Sequence, residues 1–190
     1  MHRLVLAQVA AMTLVLGEGG GFVLKLFDVL TPCTASLYYV AHKLFRSVTL
    51  LKPLTSRPAS SERYMVCTGF LRTRAASERV SEHLLGILAQ AARDEDQSAA
   101  DGSSGKHHPD PSIGCAVPFS VMEADAAFVA HLRASNDALG ARQLAACEAL
   151  LGWAREEEEG ARNANGARAS HGGGAGALRR KMLGEWGLTA

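Results

Sequence analysis

Before residue 74 the apolar positions fall into short runs of different period; after it they thin into looser helical patterns. Residues 4–16 are mostly apolar, interrupted by Gln8 and Thr13 and followed by glycines at 17, 19, 20 and 21. That predicts a buried helix that stops on glycine and leads straight into a strand. Behind Met1-His2-Arg3 the same run also has the basic start and apolar centre of a secretory signal. Its thirteen residues would rise only about 20 Å as a helix against a hydrocarbon layer of roughly 30 Å, so a membrane span fails on length. Next, Phe22-Val23-Leu24-Lys25-Leu26-Phe27 is apolar on both alternating faces except at Lys25, as in a central strand covered on both sides. Asp28 closes it. Thr31-Pro32 then supply an N-cap and a first-turn proline for a helix whose Leu37, Val40, Ala41, Leu44 and Phe45 share one face. Residues 47–51 and 63–70 read as two further strands, joined by a loop over 54–62.

Beyond Thr73, residues 77–92 form a helix through Val80, Leu84, Ile87, Leu88 and Ala91, and the polar stretch 95–112 reads as a flexible insertion. Residues 123–134 and 137–156 predict two helices broken at Ser135-Asn136 and packed through Phe128, Leu132, Leu144, Cys147, Leu151 and Trp153. A last short helix at 178–188 carries Met182, Leu183 and Trp186. The expected organisation is a sheet-bearing segment at 1–73, a helical extension at 74–156 with its insertion at about 95–112, a low-complexity linker at 157–176, and a terminal helix at 177–190. Helix, strand, helix and two strands in that order make an α/β fold.

Composition changes this picture little. Of the 190 residues, 47% are hydrophobic, enough for a core; 20 Lys+Arg against 19 Asp+Glu exclude a globally basic nucleic-acid coat or an acidic tail, though not a local RNA site. Cys33, Cys67, Cys115 and Cys147 lie more than thirty residues apart with no CxxC, which disfavours structural zinc and any metal site. An even count permits two disulfides, but Cys67 inside Tyr64-Met65-Val66-Cys67 reads as a buried free thiol and points to a reducing compartment.

Two features carry candidate chemistry. An ammonium inside an apolar strand is costly to desolvate unless it lies near the strand's carboxyl end, where α/β sheets bind ligands, so Lys25 is either a general base or a lysine snorkelling to solvent. Asp28 reads as a cap or as a partner for that lysine. The loop from Lys52 to Tyr64 gathers Arg57, Arg63, Glu62 and several hydroxyls, suited to phosphates and sugar hydroxyls, or else an ordinary solvated connection.

Taken together, Gly20-Gly21-Phe22-Val23-Leu24-Lys25-Leu26-Phe27-Asp28, Thr31-Pro32, Leu51-Lys52-Pro53, Thr55-Ser56-Arg57-Pro58 and Ser61-Glu62-Arg63-Tyr64 resemble the carboxyl half of an FtsJ-like RNA ribose 2′-O-methyltransferase domain. Within that family the likeness is above all to enzymes acting on the first transcribed nucleotide of capped eukaryotic mRNA. Val117-Pro118, Leu132-Arg133-Ala134-Ser135-Asn136 and Trp186-Gly187-Leu188 extend it into a helical carboxyl end. The resemblance implies the second half of a Rossmann-like sheet, three strands with flanking helices plus a helical extension. Of the family's Lys-Asp-Lys-Glu tetrad it makes Lys25 the second lysine and Glu62 the glutamate. Lys25 would take or orient the proton of the ribose 2′-hydroxyl as it attacks the methyl of S-adenosylmethionine, and Glu62 would orient Lys25. Ser56 and Arg57 would contact RNA phosphate or ribose, and Ser60 stands where related enzymes tend to carry Asn near the cap guanine. The family's first lysine, donor-binding glycine loop and aspartate precede the helix at 4–16; Gly17-Glu18-Gly19-Gly20-Gly21 follows that helix and cannot replace the loop. The expectation is therefore no cofactor-binding residue in this sequence and no activity of the chain alone, with exposed apolar surface as a consequence. RNA, capped mRNA above all, is the implied partner, with no membrane and no metal; the implied compartment is the nucleus, with the cytoplasm as the alternative to it and secretion not expected. A non-catalytic RNA- or partner-binding remnant of a methyltransferase is the competing reading.

Overall fold

The computed structural model describes residues 2–100 and 115–164. They form α1 (His2–Val15), β1 (Phe22–Leu26), α2 (Pro32–Leu44), β2 (Phe45–Leu51), β3 (Arg63–Phe70), α3 (Arg74–Ala100), α4 (Phe119–Ala124) and α5 (Ala126–Ala164). The described residues divide into two compact units, one drawn from 1–51 and 62–136, the other from 52–61 and 137–164.

The first unit holds the sheet. Its strand order is β1-β3-β2, with β3 antiparallel to both neighbours, so β1 and β2 run the same way and α2 is the crossover between them. The mixed α/β architecture with flanking helices is the one the pattern predicts. Two-sided cover of β1 is not what forms. Leu24 and Leu26 are buried, but Val23 is 61% exposed and Lys25 shares its face, because β1 is an edge strand and α1 and α2 close only one side of the sheet. The closed face is built from Leu24, Leu26, Val48, Leu50, Met65 and Cys67. In β3 the alternation breaks at Gly69, whose φ of +71° is open to glycine and strained for other residues. Phe70 thereby turns inward and meets the Phe45 ring at 5.1 Å.

Local signals set the helix starts. Thr31 caps α2, its hydroxyl accepting the Thr34 N–H at 3.2 Å, and Pro32 opens the first turn. Asp28 Oδ1 accepts the Leu30 N–H at 3.1 Å and the Thr34 hydroxyl at 3.4 Å, so it braces the turn that leads into α2. Phe45, expected on the apolar face of this helix, is the first residue of β2 instead: its N–H donates to Ala41 O and the chain passes from helix to strand without a loop. α1 packs on α3, where Thr13 Oγ1 lies 2.7 Å from Ser81 Oγ. The inner face of α3 therefore includes Ser77 and Ser81 beside Leu84 and Ala91, since small side chains allow close approach and the hydroxyls find partners.

Several helices differ from their expected bounds. α3 continues through residues 95–100, placed by composition in a flexible insertion. That segment is rich in helix-forming Glu, Gln and Ala, and the preceding turn is braced by Gln90 Nε2 donating to Asp94 Oδ1 at 2.7 Å. The rest of that insertion, 101–112, lies outside the described residues, as do 165–176 of the expected linker and the expected terminal helix at 177–190. No break occurs at Ser135-Asn136. The break falls at Asp125, which ends α4 and accepts the Phe128 N–H at 3.0 Å to start α5, while the Asn136 side chain accepts from Arg63 Nη1 at 3.1 Å. α5 then runs on to Ala164. Leu144 and Leu151, expected to pack, are 61% and 58% exposed, and Leu139 is buried in their stead.

The start of α5 docks on α2 through rings. Tyr39 and Phe128 meet edge to face at 4.8 Å, the Tyr38 hydroxyl is 2.7 Å from His131 Nε2, and the His42 and His131 rings are 4.9 Å apart. Burial foremost, then the charges of His131 and Lys43, hold His42 down at about 4, with Asp125 pulling the other way. The unfolded chain binds this proton below roughly pH 6.5, the folded chain only near 4, so folding stability contributed by His42 is complete above the first value and is lost as pH falls toward the second. Urea midpoints measured between about pH 7 and pH 4 should fall with acidification. His42→Asn should flatten that slope; an unchanged slope would contradict the burial of a neutral imidazole.

Candidate active site

β1 carries Lys25 to its carboxyl end, and the register with β3 sets Lys25 directly opposite Tyr64. Cross-strand partners share a face, so both project from the open side of the sheet. Glu62 is one residue ahead of β3, and its Oε1 lies 3.3 Å from Lys25 Nζ. The Tyr64 hydroxyl donates to that same oxygen at 2.7 Å. Lys25 Nζ also stands 5.5 Å from the centre of the Phe27 ring. The Lys25 side chain is 48% exposed and that of Glu62 23%. Sequence reasoning brought Lys25 and Glu62 together across some forty residues, and the sheet does place them in contact. Tyr64 received no role there. Its signal was present, two residues after Glu62 and at the start of an alternating strand, but only the register points it at Lys25.

Arg63, counted among the cations of the loop, is turned the other way. It is 5% exposed on the closed face, and burial lowers its guanidinium's affinity for its proton while Asp28 opposes that effect. It braces β3 against Asn136 and does not face a ligand on the open side.

The other candidate residues belong to the second unit. There the 52–61 segment folds on tight turns, the Ser56 N–H donating to Pro53 O and the Ser60 N–H to Arg57 O, both at 3.0 Å. Lys52 Nζ donates to Ser60 O, and Gln143 Nε2 of α5 to Ala59 O at 3.3 Å. These bonds hold the loop in shape. The Arg57 guanidinium is exposed, with no ion pair or hydrogen bond among the described residues, and Ser56 Oγ is buried with no hydrogen-bond partner among them. The exposed guanidinium suits an oxyanion, whereas the Ser56 hydroxyl, expected to contact RNA, is buried.

The glycines at 17–21 offer no nucleotide cradle. The Gly19 N–H donates to Phe70 O at 2.8 Å and the Gly20 N–H to Gly17 O at 3.1 Å, while Gly20 O accepts from Phe70 N. Two of the amides that would have to face a ligand are thus spent within the protein, at the end of the sheet away from Lys25. Among the described residues no group of three or more His, Cys, Asp or Glu is placed to hold a metal ion, and no helix is long and apolar enough to cross a membrane. All four cysteines are free thiols, and burial pushes Cys67 up to about 12, where it is inert.

Residues 1–70 match the FtsJ-like methyltransferase family. The relatives are cap-specific mRNA (nucleoside-2′-O-)-methyltransferases: the chain is 45% identical over 74 residues to methyltransferase 1 of Dictyostelium discoideum, covering 39% of this chain and 10% of that protein. To methyltransferase 1 of Caenorhabditis elegans it is 36% identical over 141 residues, 74% of this chain and 14% of the relative. To a Caenorhabditis briggsae protein named as the inactive methyltransferase 1B it is 30% identical over 155 residues, 82% of this chain and 17% of the relative. The chain therefore spans between a tenth and a sixth of the length of these curated relatives.

The shared Glu62 oxygen makes a testable signature. Deprotonating Tyr64 would break its bond to Glu62 and set two negative groups together, which raises the phenol above its usual range. In a spectroscopic titration, Glu62→Gln should bring the Tyr64 transition down toward about 10; no movement would disprove the contact.

Proposed function

We propose that this chain supplies the Lys-Glu portion of an RNA ribose 2′-O-methylation site, with the first transcribed nucleotide of capped mRNA as substrate. The observation that carries the proposal is the Lys25–Glu62 pair at 3.3 Å, at the carboxyl end of a strand on an open sheet face. In this reading Lys25 Nζ holds the ribose 2′-oxygen and takes or orients its proton, and Glu62 fixes the direction of the ammonium, with the Tyr64 hydroxyl donating to the same carboxylate oxygen. Ser56 and Arg57 are the residues assigned to phosphate or ribose, and Ser60, offering a hydroxyl, is the one assigned to the cap. S-adenosylmethionine is the methyl donor used by FtsJ-like methyltransferases. The described residues do not fit it, since the Gly19 and Gly20 amides are already taken, so the reading assigns its binding to other residues and expects the chain alone to be inactive. The reading places the protein in the nucleus.

Isothermal calorimetry of the 190-residue chain with S-adenosylmethionine should show no binding; micromolar affinity would overturn the division of labour. In a chimaera that joins the chain to the donor-binding residues of the Dictyostelium relative, Lys25→Ala should lower methyl transfer to capped RNA by at least about a hundredfold. Near-normal turnover would remove Lys25 from the chemistry.

The second reading, an RNA-binding remnant without catalysis, is favoured by the free Arg57 guanidinium and by the relative named inactive. Both readings expect Arg57→Ala to weaken capped-RNA binding across sequences and to reduce the salt-dependence slope by about one. They part at Lys25→Ala, which in the remnant leaves RNA affinity unchanged and has no turnover to lose.

A further inference from the structure

A second surface lies at the opposite end of the sheet. β2 begins at Phe45 and β3 ends at Phe70, paired with each other, whereas Lys25 and Leu51 both pair with Tyr64 at the other end. Beside that first end, α2, α3 and residues 116–117 enclose an open groove of about 410 Å3. Its floor is aliphatic, with Val40 and Leu44 from α2, Val80 from α3, and Val117. Lys43, Arg72 and Arg79 stand around it, and no carboxylate lines it among the described residues. The three cations are not equivalent. Lys43 is paired with Asp125 at 2.7 Å and sits over the Tyr39 ring at 4.8 Å, and Arg72 Nη2 is tied to Lys43 O at 3.1 Å. The Arg79 side chain makes no hydrogen bond or ion pair among the described residues.

We infer that this groove docks an acidic amphipathic helix of a partner protein. Two requirements meet in it: an aliphatic trough between two helices takes the apolar stripe of a third, and Arg79, with no carboxylate partner among the described residues, selects an acidic side chain flanking that stripe. RNA fits less well. Unpaired bases need aromatic platforms to stack on, and the groove's one tyrosine, Tyr39, is already edge-on to Phe128 and covered by Lys43. The volume is within the range that takes a few side chains rather than a whole folded surface. This inference is independent of the methylation reading, since none of its residues belongs to the Lys25 site.

The probe is a fluorescein-labelled peptide of about 18 residues with leucine at i, i+3, i+4 and i+7 and glutamate between them, titrated by anisotropy against the full chain. Binding on the order of 10 μM is expected, weakened about tenfold or more by Arg79→Glu and by Val80→Ser, with circular dichroism confirming that each variant is folded. A peptide with lysine in place of glutamate should not bind. A photoreactive residue placed on the leucine stripe should cross-link to α2 or α3. Equal binding of the acidic and basic peptides, no effect of Arg79→Glu, cross-links confined to the open sheet face, or displacement of the peptide by a single-stranded RNA of matching charge would each overturn the docking site.

Discussion

The pairing of β3 between β1 and β2 is the interaction on which the rest of the first unit depends. β1 and β2 are parallel to each other and too far apart to share hydrogen bonds, so without β3 neither strand would have its backbone satisfied on the inner side. β3 also brings the most deeply buried apolar residues of the sheet, with Met65, Cys67 and Phe70 each 1% exposed. Its end is laced to the α1–β1 turn through Gly19, Gly20 and Phe70. One strand thus sets the sheet's order, anchors the turn before β1 and fixes which residues of β1 meet which of its own.

From that register the chemistry follows. With Tyr64 opposite Lys25, the residue two places before Tyr64 arrives beside the ammonium, and a single carboxylate oxygen receives both donors. An exposed ion pair of this kind contributes little to stability, so its value lies in orientation. The same alternation drives Arg63 into the closed face, where it serves packing and hydrogen bonding in place of ligand contact. Adjacent residues of one motif are separated by the sheet plane into two roles.

The sheet's two ends are also unlike. The carboxyl end of β1 presents the Lys-Glu-Tyr cluster, and the other end presents an aliphatic groove edged with arginine. The family match over residues 1–70 takes in Lys25, Glu62 and Tyr64 of the first surface and the α2 side of the second. A relative whose name carries the word inactive aligns with most of this chain, as does one whose name does not.

Features governed by short-range physics were legible in the sequence: the three strands by their length and β-branched or alternating composition, the start of α2 by Thr31-Pro32, and the buried thiol at Cys67 by its apolar neighbours. Lys25 stood out as an ion in an apolar strand, and Glu62 through the likeness of its motif to the FtsJ-like family. What failed were boundaries and faces. Phe45 has the spacing of a helix position and is a strand residue; Ser135-Asn136 has the composition of a break and lies within a continuous helix, where the Asn136 side chain accepts from Arg63. Periodicity, caps and residue type act over a few positions, so the order of residues was enough to set where helices and strands form and where titratable groups stand along them. The strand order, the open side of β1, the inward turn of Arg63 and the meeting of Tyr64 with Lys25 were decided only by the tertiary structure. Each depends on a pairing between segments some forty residues apart, and a one-residue change of register would have exchanged every face.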